Sequence, residues 1–76
     1  MRYRIEYLSE STEEDSVCHS TLARAEHVEG AAAQAWAGER RARRFGAAGF
    51  QIRDLFHQGR IVALETFGAP ISGWLH

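Results

Sequence analysis

Lysine and asparagine are absent from this chain, cysteine and proline occur once each, and no apolar stretch approaches the length of a membrane span. The single cysteine, Cys18, excludes an internal disulfide framework and suits a reducing compartment. The opening MRYRIEYL alternates apolar with charged residues, so it does not read as a secretory signal, and the cytoplasm is the expected location. Charge of one sign is also in short supply. The net charge is -1 and the pI near 6.4, which argues against general attraction to nucleic acid or to an anionic membrane. Without lysine, all 9 basic residues are arginine. Arginine is the better phosphate fork, but a chain rich in Ala, Gly and Arg with neither Lys nor Asn is more simply the product of GC-rich coding DNA.

What is present suits one small folded unit. At 76 residues and 45% hydrophobic content, the chain is expected to form a single domain over residues 1–67 followed by an apolar tail, 68–76. Much of the apolar content is alanine, which contributes little burial per residue. The larger core candidates are Tyr3, Ile5, Tyr7, Leu22, Val28, Trp36, Phe45, Phe50, Ile52, Val62 and Leu64. So small a core gains from self-association or a partner.

Tyr3, Ile5 and Tyr7 alternate with Arg2, Arg4 and Glu6, the period of a half-buried strand. Residues 9–16 are Ser, Thr, Glu and Asp with little to bury, and read as a loop. A weaker strand follows over 17–24, with its inward face undecided between Val17/His19/Thr21/Ala23 and Cys18/Ser20/Leu22/Arg24. Residues 28–45 read as a helix whose face of Val28, Ala31, Ala32, Ala35, Ala42 and Gly46 is small enough to lie close to a sheet. Its start has no good N-cap, His27 being the nearest candidate, and Gly46 is placed to stop it. Gly30 and Gly38 each weaken it by up to ~1 kcal/mol unless packing requires the missing side chain. Residues 50–55 and 60–67 make a hairpin around His57-Gln58-Gly59. A three-residue turn pairs Ile52 with Leu64 and Asp54 with Val62, placing Phe50, Ile52, Val62 and Leu64 on one face. The expected fold is α+β: a four-stranded, largely antiparallel sheet with one helix on one face, in the order ββαββ.

The Ala-rich helix ending Phe45-Gly46-Ala47-Ala48-Gly49-Phe50, and the turn Gly59-Arg60-Ile61-Val62, resemble those of small uncharacterised bacterial ββαββ domains. The resemblance spans roughly residues 2–67 in arrangement. It implies the fold and no function.

No motif carries chemistry. Cys18 and His19 are adjacent and point to opposite faces of a strand, and His27, His57 and His76 lack zinc-type spacing. Ser9, Ser11, Ser16 and Ser20 lack a nucleophile elbow. The glycines at 46 and 49 make neither a dinucleotide nor a P-loop fingerprint. The chain is therefore expected to bind no metal or cofactor and to have no catalytic residues. Two readings remain. In the first, an interaction module or homodimer uses the uncovered sheet face, with Arg4 and Arg53 meeting Glu65 or Glu6 of a second copy, Phe67 at the end of that face, and Ile71, Trp74 and Leu75 of the tail as apolar anchors. In the second, Arg40, Arg41 and Arg44 project from one helix face and grip nucleic-acid phosphates. The arginines also complement the helix dipole, with Glu26 and Glu29 at its other end and a Glu39–Arg43 i,i+4 pair, which needs no ligand.

Overall fold

The structure, a computed structural model, describes residues 1–9 and 17–68. Its elements are β1 (Tyr3–Ser9), β2 (Val17–Ala23), α1 (Val28–Ala37), α2 (Glu39–Arg44), β3 (Ala47–Asp54), a 3-10 turn (Leu55–His57) and β4 (Arg60–Thr66). The strands form one antiparallel sheet in the order β2-β1-β3-β4. The helical segment packs on one face, giving the α+β architecture that the sequence pattern implies. The acidic run Glu13-Glu14-Asp15 and the tail residues Ile71, Trp74 and Leu75 lie outside the described residues.

Alternation in β1 buries Tyr3, Ile5 and Tyr7 under the helix. Register then settles the inward face of β2. Ala23, Thr21 and His19 stand beside Tyr3, Ile5 and Tyr7, while Leu22 and Ser20 stand beside Arg4 and Glu6 on the open face. The small helix face performs as its composition requires: Ala31, Ala35 and Ala42 are buried, and Val28 and Ala32 pack against the core. At the start of α1, His27 sits in extended conformation and makes no side-chain cap. Gly46, at φ +90°, ends α2 in a conformation that L residues rarely adopt.

The helix is not continuous. It breaks at Gly38 (φ -92°, ψ 5°) into α1 and α2. The Tyr7 hydroxyl donates to the Ala35 carbonyl at 2.9 Å and lies where a side chain at position 38 would be: a Cβ there would sit 2.5 Å from Tyr7 Oη. Glycine at this point is a packing requirement. It lets a buried phenol end on the helix backbone. Burial also raises the Tyr7 pKa above its ordinary 10.0.

The β3–β4 hairpin departs from the expected register. Asp54 pairs with Arg60, Ile52 with Ala63, Gln51 with Leu64 and Phe50 with Glu65, with a bulge between Ile52 and Arg53. The cause is Asp54. Its carboxylate accepts from Phe56 N at 3.0 Å, capping the 3-10 turn, and takes a two-pronged bond from Arg2 with its shortest arm at 2.8 Å. Strand β3 therefore ends at Asp54, and Gln58 and Gly59 (φ 60° and 73°) close the turn in left-handed conformation. Ala63 takes the helix-side place expected for Leu64, and Val62 and Leu64 are exposed. Leu22 and Phe45, also expected in the core, are exposed too. Trp36 keeps one edge in contact, crossing Phe50 at 5.3 Å between ring centroids. The deepest large side chains are Phe50, Ile5 and Ile52.

Candidate functional site

Four surfaces could do work. The first is the open sheet face. At its centre the buried Glu6 carboxylate accepts from Gln51 Nε2 at 2.6 Å and from Arg53 Nε at 2.8 Å. Arg4 Nε stands 3.2 Å from the other oxygen, within ion-pair range but not aligned for a hydrogen bond. Desolvation pushes the Glu6 pKa up. The hydrogen bonds from Gln51 and Arg53, with the charges of Arg53 and Arg4, outweigh it and leave the carboxyl below its ordinary 4.5. Arg53 is further held by donating to the Gly59 carbonyl at 2.9 Å. Arg4 and Arg53 thus share this face as expected, but both are turned to their own Glu6.

Glu65 and Phe67 do not join them. Glu65 stands beside Phe50 on the helix side, because the bulge shifts the β4 register. Phe67, expected at the end of the open face, is only 7% exposed. It lies under Tyr7, Phe50 and Trp36, with ring centroids 5.6–6.4 Å away. Arg43 covers it at 5.1 Å while bound to Glu39 and to the Gly68 carbonyl. The signal for this burial was the aromatic itself, one residue past the strand, where the pattern of alternation no longer applies.

The second surface is the edge strand β4. Ile61, Val62 and Leu64 are exposed there, Leu64 at 64%, beside a backbone edge that pairs with no further strand among the described residues.

The third is the group of helix arginines. Arg40, Arg41 and Arg44 are exposed and fall within about 100° of arc on α2. Arg41 borders the β2 side of the helix, next to Ala42 and Phe45, whereas Arg40 borders a shallow hollow with Trp36 and Arg43.

The fourth was not legible beforehand. The helix lies over β1 and β3, so the helix-side face of β2 is left uncovered at His19 and Thr21, while Ala23 at its end is buried. Between β2 and the helix runs a half-open cleft of about 310 Å³. Its floor is Ile5 and Ala42, one wall is His19 and Thr21, and the other is Gly38, Arg41 and Phe45. Tyr7, His19 and Phe45 stand in a near-parallel column, successive rings 6.1 and 5.7 Å apart and inclined by 21°. Gln34 closes one end by a two-way bond to the Arg24 backbone. Polar His19 and Thr21 on an inward strand face were the only advance sign of it.

The Asp54 cluster is structural. Hydrogen bonding from Arg2, then from His57 and the Phe56 amide, outweighs desolvation and holds the carboxyl well below the usual carboxylate range. His57 Nδ1 lies 2.8 Å away, a base–orienter pair in outline. The hollow beside it is lined by Phe56, His57, Gln58 and Arg60, which include no nucleophile. Among the described residues no three of His, Cys, Asp and Glu gather as cation ligands, and no helix is long and apolar enough to cross a membrane. No family model matches the chain, and neither a curated protein nor a solved structure matches it.

Proposed function

We propose that this chain is a protein-interaction module that self-associates, with β4 as the strand to which a second copy adds. The observation that carries the reading is the row of exposed Ile61, Val62 and Leu64 along a sheet edge that is unpaired among the described residues. Natural edge strands are blunted by charge, proline or a bulge; β4 has no proline, its charges Arg60 and Glu65 flank the apolar row, and its bulge falls at Val62. The opposite edge, β2, presents mainly Cys18, His19, Ser20 and Thr21 and is the poorer platform. An antiparallel β4–β4 pair with its twofold at Ala63 sets Val62 opposite Leu64 at two symmetric positions. Each such apolar pair is worth roughly 0.2–1 kcal/mol beyond the backbone bonds.

Stacking open faces is the weaker geometry for a dimer. The centre of that face holds Arg4 and Arg53 against the single acid Glu6, so two copies would bring like excess charge together. Nucleic-acid binding through Arg40, Arg41 and Arg44 has less support, because the chain's net charge is -1 and phosphate binding draws on a net basic surface. The free thiol of Cys18 supports a reducing, cytoplasmic setting.

The test is molar mass by light scattering from micromolar to hundreds of micromolar protein. The mass should climb from 8.5 kDa towards twice that value. Leu64→Arg should hold it at the monomer with an unchanged circular dichroism spectrum. A monomer at every concentration, or a dimer indifferent to Leu64→Arg, would overturn the reading.

A further inference from the structure

The cleft between β2 and the helix is, we infer, a binding site for a small planar aromatic carboxylate. Three independent features of its lining specify that chemistry. The first is size: about 310 Å³ is at the lower end of the ~300–1,000 Å³ typical of ligand sites, enough for one ring or a fused pair. The second is shape. The Tyr7–His19–Phe45 column is already aligned for offset stacking, and its outermost ring, Phe45, is 55% exposed. One more flat ring laid against the exposed Phe45 gains an offset-stacked contact at the cleft mouth.

The third feature is charge. Among the described residues no aspartate or glutamate lines the cleft, and Arg41 borders it with no acidic partner there. The other polar groups divide cleanly. Tyr7 Oη is committed to the Ala35 carbonyl and the Gln34 amide to the Arg24 backbone, whereas the Thr21 hydroxyl and the His19 ring nitrogens make no hydrogen bond to another described residue. One guanidinium, one hydroxyl and one imidazole line the same cleft, a set that matches a single carboxylate. A phosphate, with its greater charge, wants more cations than this. Gly38 contributes by lacking a side chain where Tyr7 ends, so the wall stays flat beside the column.

The cleft lies on the helix side at β2, across the sheet from β4, so it is tested apart from self-association. The experiment is a titration of isotope-labelled protein with 2-naphthoate and benzoate, followed by NMR. Naphthamide serves as a ring without charge and acetate as a charge without a ring. Both acids should give saturable shifts at the Thr21 and Gly38 amides and the His19 ring, naphthoate binding the tighter. Naphthamide and acetate should bind at least about tenfold more weakly. Arg41→Gln, a change at an exposed residue, should weaken naphthoate about tenfold, the factor that ~1.4 kcal/mol represents, at an unchanged melting temperature. Phe45→Ala should weaken it as well. The inference is overturned by shifts that do not saturate, by shifts centred elsewhere, by naphthamide matching naphthoate, or by Arg41→Gln leaving affinity intact.

Discussion

Replacing Gly38 by alanine would improve the helix in isolation and should harm this protein. The backbone at position 38 (φ -92°, ψ 5°) is open to any residue, so an alanine would gain roughly 0.4–1 kcal/mol from a stiffer unfolded chain. Its Cβ, however, would lie 2.5 Å from Tyr7 Oη. The phenol sits at the end of a rigid ring packed in the core, so relieving the overlap displaces it from the Ala35 carbonyl and weakens or breaks that bond. Stranding a buried hydroxyl costs about 1–3 kcal/mol. The net loss is on the order of 1–2 kcal/mol, and each kcal/mol is worth about 4–8 °C in a domain of this size. The second arm of the test is Tyr7→Phe. Alone it should cost about 1 kcal/mol, since the Ala35 carbonyl still accepts from the Gly38 amide at 3.1 Å. With the hydroxyl gone, the nearest ring atom is Cζ at 3.5 Å, ordinary contact, and Gly38→Ala becomes neutral or stabilising. Urea unfolding of the four proteins, read by Trp36 fluorescence, gives a coupling of about 1.5–3 kcal/mol between the sites. An equal cost of Gly38→Ala in both backgrounds, or a more stable Gly38→Ala single variant, would refute the account.

Acid should unfold the protein through two carboxylates. The folded pKa values of Glu6 and Asp54 lie below their ordinary 4.5 and 3.8, so the stability they contribute is complete above those values and is lost as pH falls through the folded ones. Melting temperature should therefore drop below about pH 4, and Glu6→Gln with Asp54→Asn should flatten that limb; an unchanged slope would contradict it. Phe67→Ala should cost about 3–5 kcal/mol, most of what a domain of this length has. Leu64→Ala should leave unfolding at low protein concentration within about 0.5 kcal/mol of the parent. Chemical denaturation of both checks the β3–β4 register, and the reverse order of effects would restore the pairing of Ile52 with Leu64.

Much of the architecture was legible because two periodicities carry it. Tyr3-Ile5-Tyr7 spells a strand, and Ala31-Ala35-Ala42 spells a helix that lies close. The hairpin register was not, since burial of Val62 and Leu64 was set against a turn geometry fixed by one carboxylate. Asp54 draws its partner from Arg2, at the far end of the sequence. No local pattern reports that bond. Of the candidate residues, Arg4 and Arg53 keep the expected face, Glu65 and Phe67 leave it, and Arg40, Arg41 and Arg44 are exposed on α2. The cleft depends on how far the helix sits to one side, a property of packing that residue spacing does not encode.

The central place of β1 in the sheet has a kinetic consequence. Strand β1 is hydrogen-bonded to β2 on one side and to β3 on the other, and its start is tied to the end of β3, 52 residues on, by Arg2 and Asp54. During synthesis β1 and β2 emerge first and can form only a two-stranded ribbon, which is marginal in water. Tyr3, Ile5 and Tyr7 then stay bare until β3 and the helix arrive. Folding must wait for a long-range closure, so it is expected to be slower than that of a helical protein of equal length. The nascent ribbon, with an apolar face and a raw edge at β1, is the species most exposed to wrong pairing and to chaperones.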